Sequence, residues 1–289
     1  GGAGAASGRE VTFRREASIH HKRENSNPAI SMRINNRYDL CVLAAVMMGT
    51  LAVVRAEVRE EFHQTYPLDK TGEVSLENVN GSVHVTAWDR DEIKVDAVKR
   101  ARKQEHLDVV DIRVESAPDK VRIKTKYPDG KNNNNSTSVD YTLTVPRGSK
   151  LSKISTVNGG VEVGGVHGDV EASSVNGQVT ARGLRGETDL STVNGSVKAT
   201  VTEVRNPILL KTVNGSLTLA LPEGVNADVS ADALNGGISS ELDLKVRKSF
   251  PIGQKLEGKL GEGGPRIKMS TVNGSVHIDR TKAVAGEDK

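Results

Sequence analysis

One short phrase, a Val or Leu followed by Asn-Gly, a variable residue and another aliphatic residue, occurs seven times in the chain. Its asparagines are Asn80, Asn158, Asn176, Asn194, Asn214, Asn235 and Asn273. From Asn158 onward, successive asparagines are 18, 18, 20, 21 and 38 residues apart, so the last step is about two repeats long. A recurring period of this kind indicates a repeat architecture, and it limits the possible folds more than any other feature.

Apolar residues keep fixed offsets from these asparagines. In most copies the positions six and four before the Asn and five after it are apolar, as Val170, Ala172 and Ala181 are around Asn176. We call the segments before and after the Asn-Gly the two arms of a copy. On both arms the apolar residues are two positions apart, which is the period of a β-strand. Each copy is therefore predicted to be two short strands that meet at a corner, where Asn-Gly supplies residues that tolerate positive φ.

Two all-β architectures fit this pattern. The first is a parallel β-solenoid of about 18 to 21 residues per coil with a β-rich N-terminal cap, in which like residues stack. The alternative is an antiparallel β-meander, because Asn-Gly between alternating apolar residues is also the strongest local hairpin signal. A second glycine corner at Gly168 and Gly186 and small residues such as Ala199 at predicted inward positions favour the solenoid.

Two columns beside the corner were assigned from the same alignment. A hydroxyl residue stands two before the Asn in five copies, and we expect it, like the Asn, to hydrogen-bond from coil to coil: Thr156, Ser174, Thr192, Thr212 and Thr271. The Val directly before the Asn is predicted to face inward. An aspartate at Val193 should then unfold the chain, because an unpaired buried charge costs several kcal/mol.

The chain begins with a segment unlike the rest. Residues 1–31 show no apolar periodicity and are predicted to be an untranslated or disordered leader. From Met32, a basic stretch with Arg33 and Arg37 precedes the apolar residues 40–54, and small or apolar residues follow at 54–56. This pattern predicts a secretory signal peptide over 32–56, because the apolar stretch is shorter than the roughly 20 residues of a membrane span. Membrane contact is expected only if the signal segment stays uncleaved.

The remaining chain is predicted to be β-rich throughout. Residues 57–148 should form the N-terminal cap and first repeat, 149–278 the solenoid repeats, and 279–289 a charged tail. Within 244–264 we expect a coil that carries a long surface loop, and 131–135 should be a polar loop. Candidate strands of the cap are Glu92–Ala101, Val109–Glu115, Lys120–Tyr127 and Ser138–Val145.

Charge and composition exclude several classes of function. Eight of the 40 Lys and Arg residues and four of the 37 Asp and Glu residues precede residue 57, which leaves 32 against 33, or −1, for the proposed mature chain. The single cysteine, Cys41, lies in the proposed signal peptide, so an internal disulfide or a cysteine-rich metal site is excluded. With 3% aromatic residues there is little for nucleic-acid bases to stack on. No cofactor, metal or nucleic acid is expected.

Three segments together resemble a known family. They are the opening Val-Asn-Gly-Ser-Val-His-Val-Thr-Ala-Trp-Asp-Arg-Asp of residues 79–91, the serial Thr-Val-Asn-Gly phrases, and the closing Gly-Glu-Gly-Gly-Pro-Arg of 261–266 before Thr271. With a signal peptide in front, this combination resembles the bacterial putative-adhesin β-strand-repeat family, over about residues 73–278. The resemblance implies a β-solenoid in the periplasm or outside the cell and a role in adhesion or envelope-stress systems. It implies no catalytic residues.

Candidate functional residues lie on predicted outward positions. Asp169 and Glu187 share one offset from the Asn, and Glu171 and Asp189 share another two residues on, which predicts a patch of carboxylates about 5 Å apart. That spacing approaches what a retaining glycosidase needs, but outward positions of a strand are commonly charged. The residues predicted to contact a ligand are Glu171, Glu187, Asp189, Gln178, Ser196 and Ser216, and the seven phrase asparagines are predicted to be structural corners.

These features predict a non-catalytic protein that is periplasmic, secreted or on the cell surface. Its expected work is as an adhesin or interaction scaffold for an envelope component, a polysaccharide or a surface protein. The alternatives are a carbohydrate-binding or carbohydrate-cleaving β-helix protein and an accessory protein of an envelope-stress system. An enzyme would lose turnover when Glu187 or Asp189 is removed, whereas a scaffold would lose binding gradually as repeats are deleted.

Overall fold

The computed structural model describes residues 9–11, 57–128, 136–248 and 253–281. The proposed signal segment at 32–56, the polar loop at 131–135, most of the leader at 1–31 and most of the tail at 279–289 lie outside these residues. None of the helices in the described ranges has the length and apolar character needed to span a membrane.

The described residues form strands and one short helix. In chain order these are β1 (Arg9–Val11), β2 (Val58–Pro67), β3 (Glu73–Glu77), β4 (Val83–Trp88), β5 (Glu92–Ala101), α1 (Gln104–Asp108), β6 (Asp111–Ala117), β7 (Lys120–Lys126), β8 (Ser138–Pro146), β9 (Lys150–Asn158), β10 (Val161–Gly164), β11 (Val170–Asn176), β12 (Val179–Leu184), β13 (Thr188–Asn194), β14 (Val197–Val201), β15 (Ile208–Asn214), β16 (Leu217–Leu221), β17 (Ala227–Asn235), β18 (Ile238–Ser240), β19 (Val246–Lys248), β20 (Gln254–Leu260), β21 (Arg266–Asn273) and β22 (Val276–Arg280). The four strands predicted for the cap are present as β5, β6, β7 and β8, with ends shifted by at most two residues. Helix α1 was not predicted.

The strands build two large mixed sheets. The 12-stranded sheet has the order β1-β6-β7-β3-β9-β11-β13-β15-β21-β17-β20-β19, and the 10-stranded sheet has the order β18-β22-β16-β14-β12-β10-β4-β8-β5-β2. The two arms of each Asn-Gly phrase lie in different sheets, and each arm pairs in parallel with the same arm of a neighbouring phrase. The alternative meander of Asn-Gly hairpins is therefore wrong for the phrases, although antiparallel pairs extend both sheets at their ends.

The hydrophobic core is built from the predicted inward columns. All named positions six before, four before and five after the asparagines are buried: Val74, Val170, Ile208, Val229, Ile267; Leu76, Ile154, Ala172, Leu190, Leu210, Ala231, Met269; Val85, Val163, Ala181, Ala199, Leu219, Ile278. Residues of both sheets belong to one contiguous cluster. Each fully buried Val, Leu or Ile contributes about 1.5–3 kcal/mol relative to an exposed one, so the stacked columns are the main source of stability.

The Val directly before each Asn faces outward, and the prediction for Val193 is wrong. Val193 is 40% exposed, whereas Thr192 beside it is 5% exposed. The reason is the period of the strand: Leu190 and Thr192 both point inward, so the residue after Thr192 must point to the other face. An inward Val and an inward hydroxyl column are incompatible on one regular strand.

Close approach between neighbouring phrases, rather than positive φ, explains most of the corner glycines. A Cβ on Gly177 would lie 1.9 Å from the carbonyl oxygen of Gly159, and a Cβ on Gly195 would lie 2.1 Å from that of Gly177. Among the described corner residues, only Gly81 and Gly274 have positive φ, and no asparagine does. The corner therefore requires glycine because neighbouring backbones leave no room for a side chain.

The order of the last strands differs from their order in the chain. Asn214 pairs with Asn273 on β21, and Asn273 in turn pairs with Asn235 on β17, so the final phrase lies between two earlier ones. The region predicted as a coil with a surface loop at 244–264 instead supplies β19 and β20, and β20 pairs antiparallel with the outer edge of β17. Because every phrase carries the same pattern, spacing alone could not fix which phrases become neighbours.

Candidate binding surfaces

The seven phrase asparagines form one continuous ladder of side-chain amides. Each Nδ2 donates to the Oδ1 of the next Asn in the stack at 2.8–2.9 Å: Asn158 to Asn80, Asn176 to Asn158, Asn194 to Asn176, Asn214 to Asn194, Asn273 to Asn214 and Asn235 to Asn273. The coil-to-coil bonding expected for this column is present. The ladder therefore engages the side-chain amide groups of these asparagines along the stack.

The hydroxyl column binds backbone at the same corner. The side chains of Thr156, Ser174, Thr192, Thr212 and Thr271 donate to the carbonyl oxygen of a corner glycine in the neighbouring coil at 2.8–3.0 Å. These bonds satisfy corner carbonyl groups that take no part in the backbone hydrogen bonds of either sheet. The hydroxyls are buried, so they hold the corner together and are not available to a ligand.

An aliphatic column next to the amide ladder is exposed. We call it the corner stripe, and it consists of Val79, Val157, Val175, Val193, Val213, Val272 and Leu234, which are 36–49% exposed. Neighbouring members lie about 4.8 Å apart, the spacing of paired strands. In the described residues, the one other large hydrophobic side chain with comparable exposure is Val109. A contiguous exposed apolar strip of this kind marks an interaction surface more often than scattered apolar residues do.

The columns on either side of the corner stripe consist of polar residues, and in the central strands these residues carry no charge. On the far side from the amide ladder, three consecutive strands place Ser155, Ser173 and Ser191 beside the stripe. At the ends of the stack the same column carries Glu77, Lys211 or Asp232. The stripe and its immediate neighbours are therefore a repeated, uncharged Ser, Val, Asn pattern at the centre, and Glu171 and Asp189 lie two residues beyond the serines on the same face.

The predicted carboxylates come together in part. Glu171 and Asp189 are directly paired on β11 and β13, and the backbone N–H of Glu187 donates to the Asp169 carboxylate at 3.1 Å. Lys150 lies 3.4 Å from that same carboxylate. The carboxylates are thus a solvated patch beside a cation, and the described residues contain no group of three His, Cys, Asp or Glu side chains able to hold a metal ion.

The other three predicted contact residues line the opposite side of the corner. Gln178, Ser196 and Ser216 follow the corner glycines in consecutive phrases, and their carbonyls accept bonds from the neighbouring coil. The Gln178 amide donates to Thr180 at 2.7 Å, and the Ser196 hydroxyl accepts the Ser216 N–H at 3.4 Å. Gln178 follows Glu171 by seven residues, and the extended part from Glu171 to Asn176 alone spans roughly 17 Å, so one small ligand does not contact both sets.

A groove around the single tryptophan was not predicted as a site. Its volume is about 350 Å³, and Trp88, Asp89, Asp91, Arg147 and Lys70 are among its lining residues. Trp88 is half-buried, and its ring is fixed by a 2.8 Å hydrogen bond from Nε1 to the carbonyl oxygen of Glu92. The sequence signal was present, since one Trp stands before an Asp-Arg-Asp turn at the end of a predicted strand.

Charged side chains around this groove contact one another and the Trp88 ring. Arg147 donates to both carboxylate oxygens of Asp89, at 3.0 and 3.4 Å, and this contact lowers the pKa of Asp89. The Arg90 guanidinium lies 4.9 Å from the centre of the Trp88 ring. His167 has its pKa lowered by burial and by the positive charges of Arg185 and Arg147. The groove thus combines a hydrogen-bonded aromatic ring with an exposed pair of oppositely charged groups.

Comparisons with known proteins add solved structures of similar chains. No protein-family model and no curated protein sequence matches the chain. It is similar to a structure of a putative cell adhesion protein from Clostridium sporogenes, with 10% identity over 77% of this chain and 100% of that one and a TM-score of 0.48. A putative adhesin from Bacteroides fragilis matches with 13% identity over 76% and 97% and a TM-score of 0.38. A putative lipid binding protein from Parabacteroides distasonis matches with 12% identity over 77% and 97% and a TM-score of 0.30.

Proposed function

We propose that the protein is a non-catalytic, exported interaction scaffold that binds an envelope component, a polysaccharide or a surface protein, as an adhesin does. The observation that carries this proposal is the corner stripe with its uncharged centre. Three successive coils offer the same Ser, Val and Asn side chains at a constant spacing, and their aliphatic members are about 40% exposed. A regular face of this kind suits a partner that is itself extended and repetitive.

The architecture proposed for this scaffold is a parallel β-solenoid over residues 149–278. In-register parallel pairing of like residues supports it, since Asn158, Asn176, Asn194 and Asn214 pair successively. The amide ladder and the close glycine contacts support it as well. Such stacking keeps each coil in contact chiefly with its neighbours, so a long binding face can be built from a short repeat.

Export and family membership are part of the same proposal. The pattern of residues 32–56 supports a periplasmic, secreted or surface location. The serial Thr-Val-Asn-Gly phrases support membership of the putative-adhesin β-strand-repeat family. Neither the carboxylate patch nor the Gln178 column is offered as a catalytic centre, because Glu171, Glu187 and Asp189 lie on an open, solvated face.

Truncation of the corner stripe tests the scaffold proposal. The purified chain is incubated with peptidoglycan, envelope polysaccharides and host matrix, and both binding and cleavage are scored. The double variant Val175→Ser, Val193→Ser should weaken binding about tenfold, because two exposed aliphatic side chains no longer lose water on contact. Val109→Ser is the matched control, since Val109 is exposed outside the stripe. Equal binding by all three proteins, or release of soluble glycan, would contradict the proposal.

The Trp88 groove favours carbohydrate binding as a second candidate function. An aromatic ring flanked by an ordered Asp–Arg pair suits a sugar, which offers a C–H face to the ring and hydroxyls to charged groups. Because Trp88 is the only tryptophan, its fluorescence reports this groove alone. Titration with soluble envelope saccharides should change the emission saturably, and Arg147→Gln should weaken the response.

Arg182→Gln is the control for this titration, since Arg182 is ion-paired with Glu162 at 2.9 Å outside the groove. Arg182→Gln should leave the saccharide affinity unchanged. If the chain binds a saccharide by another assay while the emission of Trp88 stays constant, the groove is not the binding site.

A further inference from the structure

All seven phrases contain Asn-Gly, the dipeptide most prone to spontaneous deamidation. In that reaction the backbone nitrogen of the glycine attacks Cγ of the asparagine, and the missing Cβ of glycine leaves the approach unhindered. The reaction needs a glycine N–H that is free to lose its proton and a side-chain amide that can turn toward it. The structure treats the seven copies differently in both respects.

In six corners, hydrogen bonds engage both groups that the deamidation reaction requires. The N–H of the corner glycine donates to the carbonyl oxygen of the neighbouring Asn at 2.9–3.2 Å: Gly81 to Asn158, Gly159 to Asn176, Gly177 to Asn194, Gly195 to Asn214, Gly215 to Asn273 and Gly274 to Asn235. All six glycines are half-buried. The Oδ1 of each of their asparagines accepts the Nδ2 of the next one. Nucleophile and electrophile are therefore both engaged.

The corner at Asn235 lies at the end of the ladder. Asn235 donates to Asn273 at 2.9 Å, but within the described residues no further Asn donates to its own Oδ1. In the same ranges the N–H of Gly236 has no hydrogen-bond acceptor, and Gly236 is the one corner glycine that is exposed. Leu234 beside it is the most exposed member of the corner stripe, at 49%.

The hydrogen bonds that brace the other corners are also missing here. Where five phrases have a Thr or Ser two before the Asn, this one has Ala233, so no hydroxyl bonds the carbonyl of the neighbouring Gly274. The strand that follows the corner, β18, has three residues and lies at the edge of its sheet. Short edge strands open locally at low free-energy cost, which frees the backbone to rearrange.

We propose that Asn235-Gly236 is a site of spontaneous deamidation that reacts well ahead of the six interior Asn-Gly pairs. The nitrogen of Gly236 bonds to Cγ of Asn235 while the bond from Cγ to Nδ2 breaks, and ammonia leaves with the proton of the amide. Water then opens the resulting succinimide to aspartate or isoaspartate. One water is consumed and one ammonia is released, and no oxidant or cofactor takes part.

The product changes the end of the stack. A carboxylate at position 235 has no N–H to donate, and it places an oxygen where Asn235 Nδ2 now meets the Oδ1 of Asn273 at 2.9 Å. That contact becomes acceptor against acceptor and is lost. The terminal corner and β18 therefore become more mobile after reaction, while the other five contacts of the ladder are unchanged.

The test compares seven sites within one protein. The full chain is aged in mildly alkaline buffer, and peptide mapping by mass spectrometry follows the replacement of NH2 by OH at each Asn. In the folded protein Asn235 should react at least about tenfold faster than any interior site, because the interior sites must first open. In urea the sites should react at similar rates, and these rates correct for differences in local sequence.

Two results would overturn the proposal. One is an interior site, such as Asn176, that deamidates as fast as Asn235 in the folded chain after correction by the rates in urea. The other is a folded protein in which none of the seven sites reacts faster than the rest. A variant Asn235→Asp, which copies one product, should show faster amide hydrogen exchange in β18 than the unaltered chain, with exchange in β13 unchanged.

Discussion

Single residues at the corner have opposite roles although they are neighbours in sequence. Thr192 points into the protein and bonds the Gly177 carbonyl, Val193 points out, and Asn194 extends the ladder. The assignment follows from the two-residue period of the strand, which the corner interrupts. After the corner, Val197 is again buried at 0% exposure. The same residue type, valine, is thus structural on one side of the corner and available for binding on the other.

The two valines give a direct test of this assignment. Val193→Asp should change the free energy of unfolding by no more than about 0.5 kcal/mol, the range of ordinary surface substitutions. Val197→Asp should leave the chain unfolded or destabilised by several kcal/mol, because it buries an unpaired charge. Urea denaturation followed by circular dichroism measures both. Equal destabilisation by the two changes would contradict the outward position of Val193.

Adding a single Cβ atom to a corner glycine should also lower the stability of the folded chain. Gly177→Ala puts a Cβ 1.9 Å from the Gly159 carbonyl oxygen, so two coils must separate, and we expect a loss of about 3 kcal/mol or more. Gly164→Ala is the matched control, since its Cβ would meet its nearest atom, the Val85 carbonyl oxygen, at 3.9 Å. Thermal unfolding compares them. Similar melting temperatures for the two variants would show that the coils can separate freely.

At the scale of elements, antiparallel strands form three of the four sheet ends in the described residues, and β18, paired in parallel with β22, is the fourth. β2 pairs with β5 at one edge of the 10-stranded sheet, and β20 pairs with β17 near one edge of the other. Open parallel edges would offer unpaired backbone groups to other chains. β2 carries charged residues along its length, and His63 on it lies 2.7 Å from Asp96 of β5.

We expect this contact to add a pH-dependent contribution to the pairing of β2 with β5. Hydrogen bonds with Asp96 and Glu61 raise the pKa of His63. Because the folded-state pKa is above the unfolded value, the stabilisation is fully present below the ordinary histidine pKa and is lost as the pH rises through the raised value. Histidine titration by NMR should therefore give His63 a pKa above that of His167, which is lowered.

The control for this titration is Asp96→Asn. It removes the first carboxylate partner and should bring the His63 value back toward the ordinary one while leaving His167 unchanged. A His63 pKa at or below that of His167 in the unaltered chain would contradict the contact between β2 and β5.

At the scale of the whole molecule, the final phrase holds an interior place. β21 lies between β15 and β17, and β22 lies between β16 and β18. Strands β21 and β22 therefore lie between the strand pair β15–β16, which ends at Leu221, and the pair β17–β18, which begins at Ala227. Strands that are late in sequence are here central in the sheet.

A truncation tests this placement. A chain that ends at Gly264 lacks β21 and β22, so β17 and β20 lose their connection to the stack, and their amide hydrogens should exchange rapidly. The amides of β11 and β13 should stay protected, because their neighbours remain. A chain that ends at Thr281 is the control and should keep all of this protection. Continued protection of β17 in the shorter chain would mean that β17 does not depend on β21.

The strand period, the corner phrase and the buried columns follow from the amino-acid sequence alone. Leu76, Ala172 and Ile278 could be assigned to the core because alternation and fixed offsets are local properties of the chain. The same alternation also requires Val193 to face outward, because Thr192 beside it points inward. Four strands of the N-terminal region followed from alternation alone.

Which phrases are neighbours, and which distant residues share a groove, depends on the tertiary fold and not on local sequence. Seven phrases with one pattern are interchangeable partners in a parallel sheet, so the position of β21 depends on the path of the whole chain and on the β19–β20 hairpin beside β17. The Trp88 groove likewise needs β4 and β8 to pair, since that pairing brings Trp88 beside Pro146 and Arg147 to Asp89. Such contacts join residues 58 positions apart, and no local pattern encodes them.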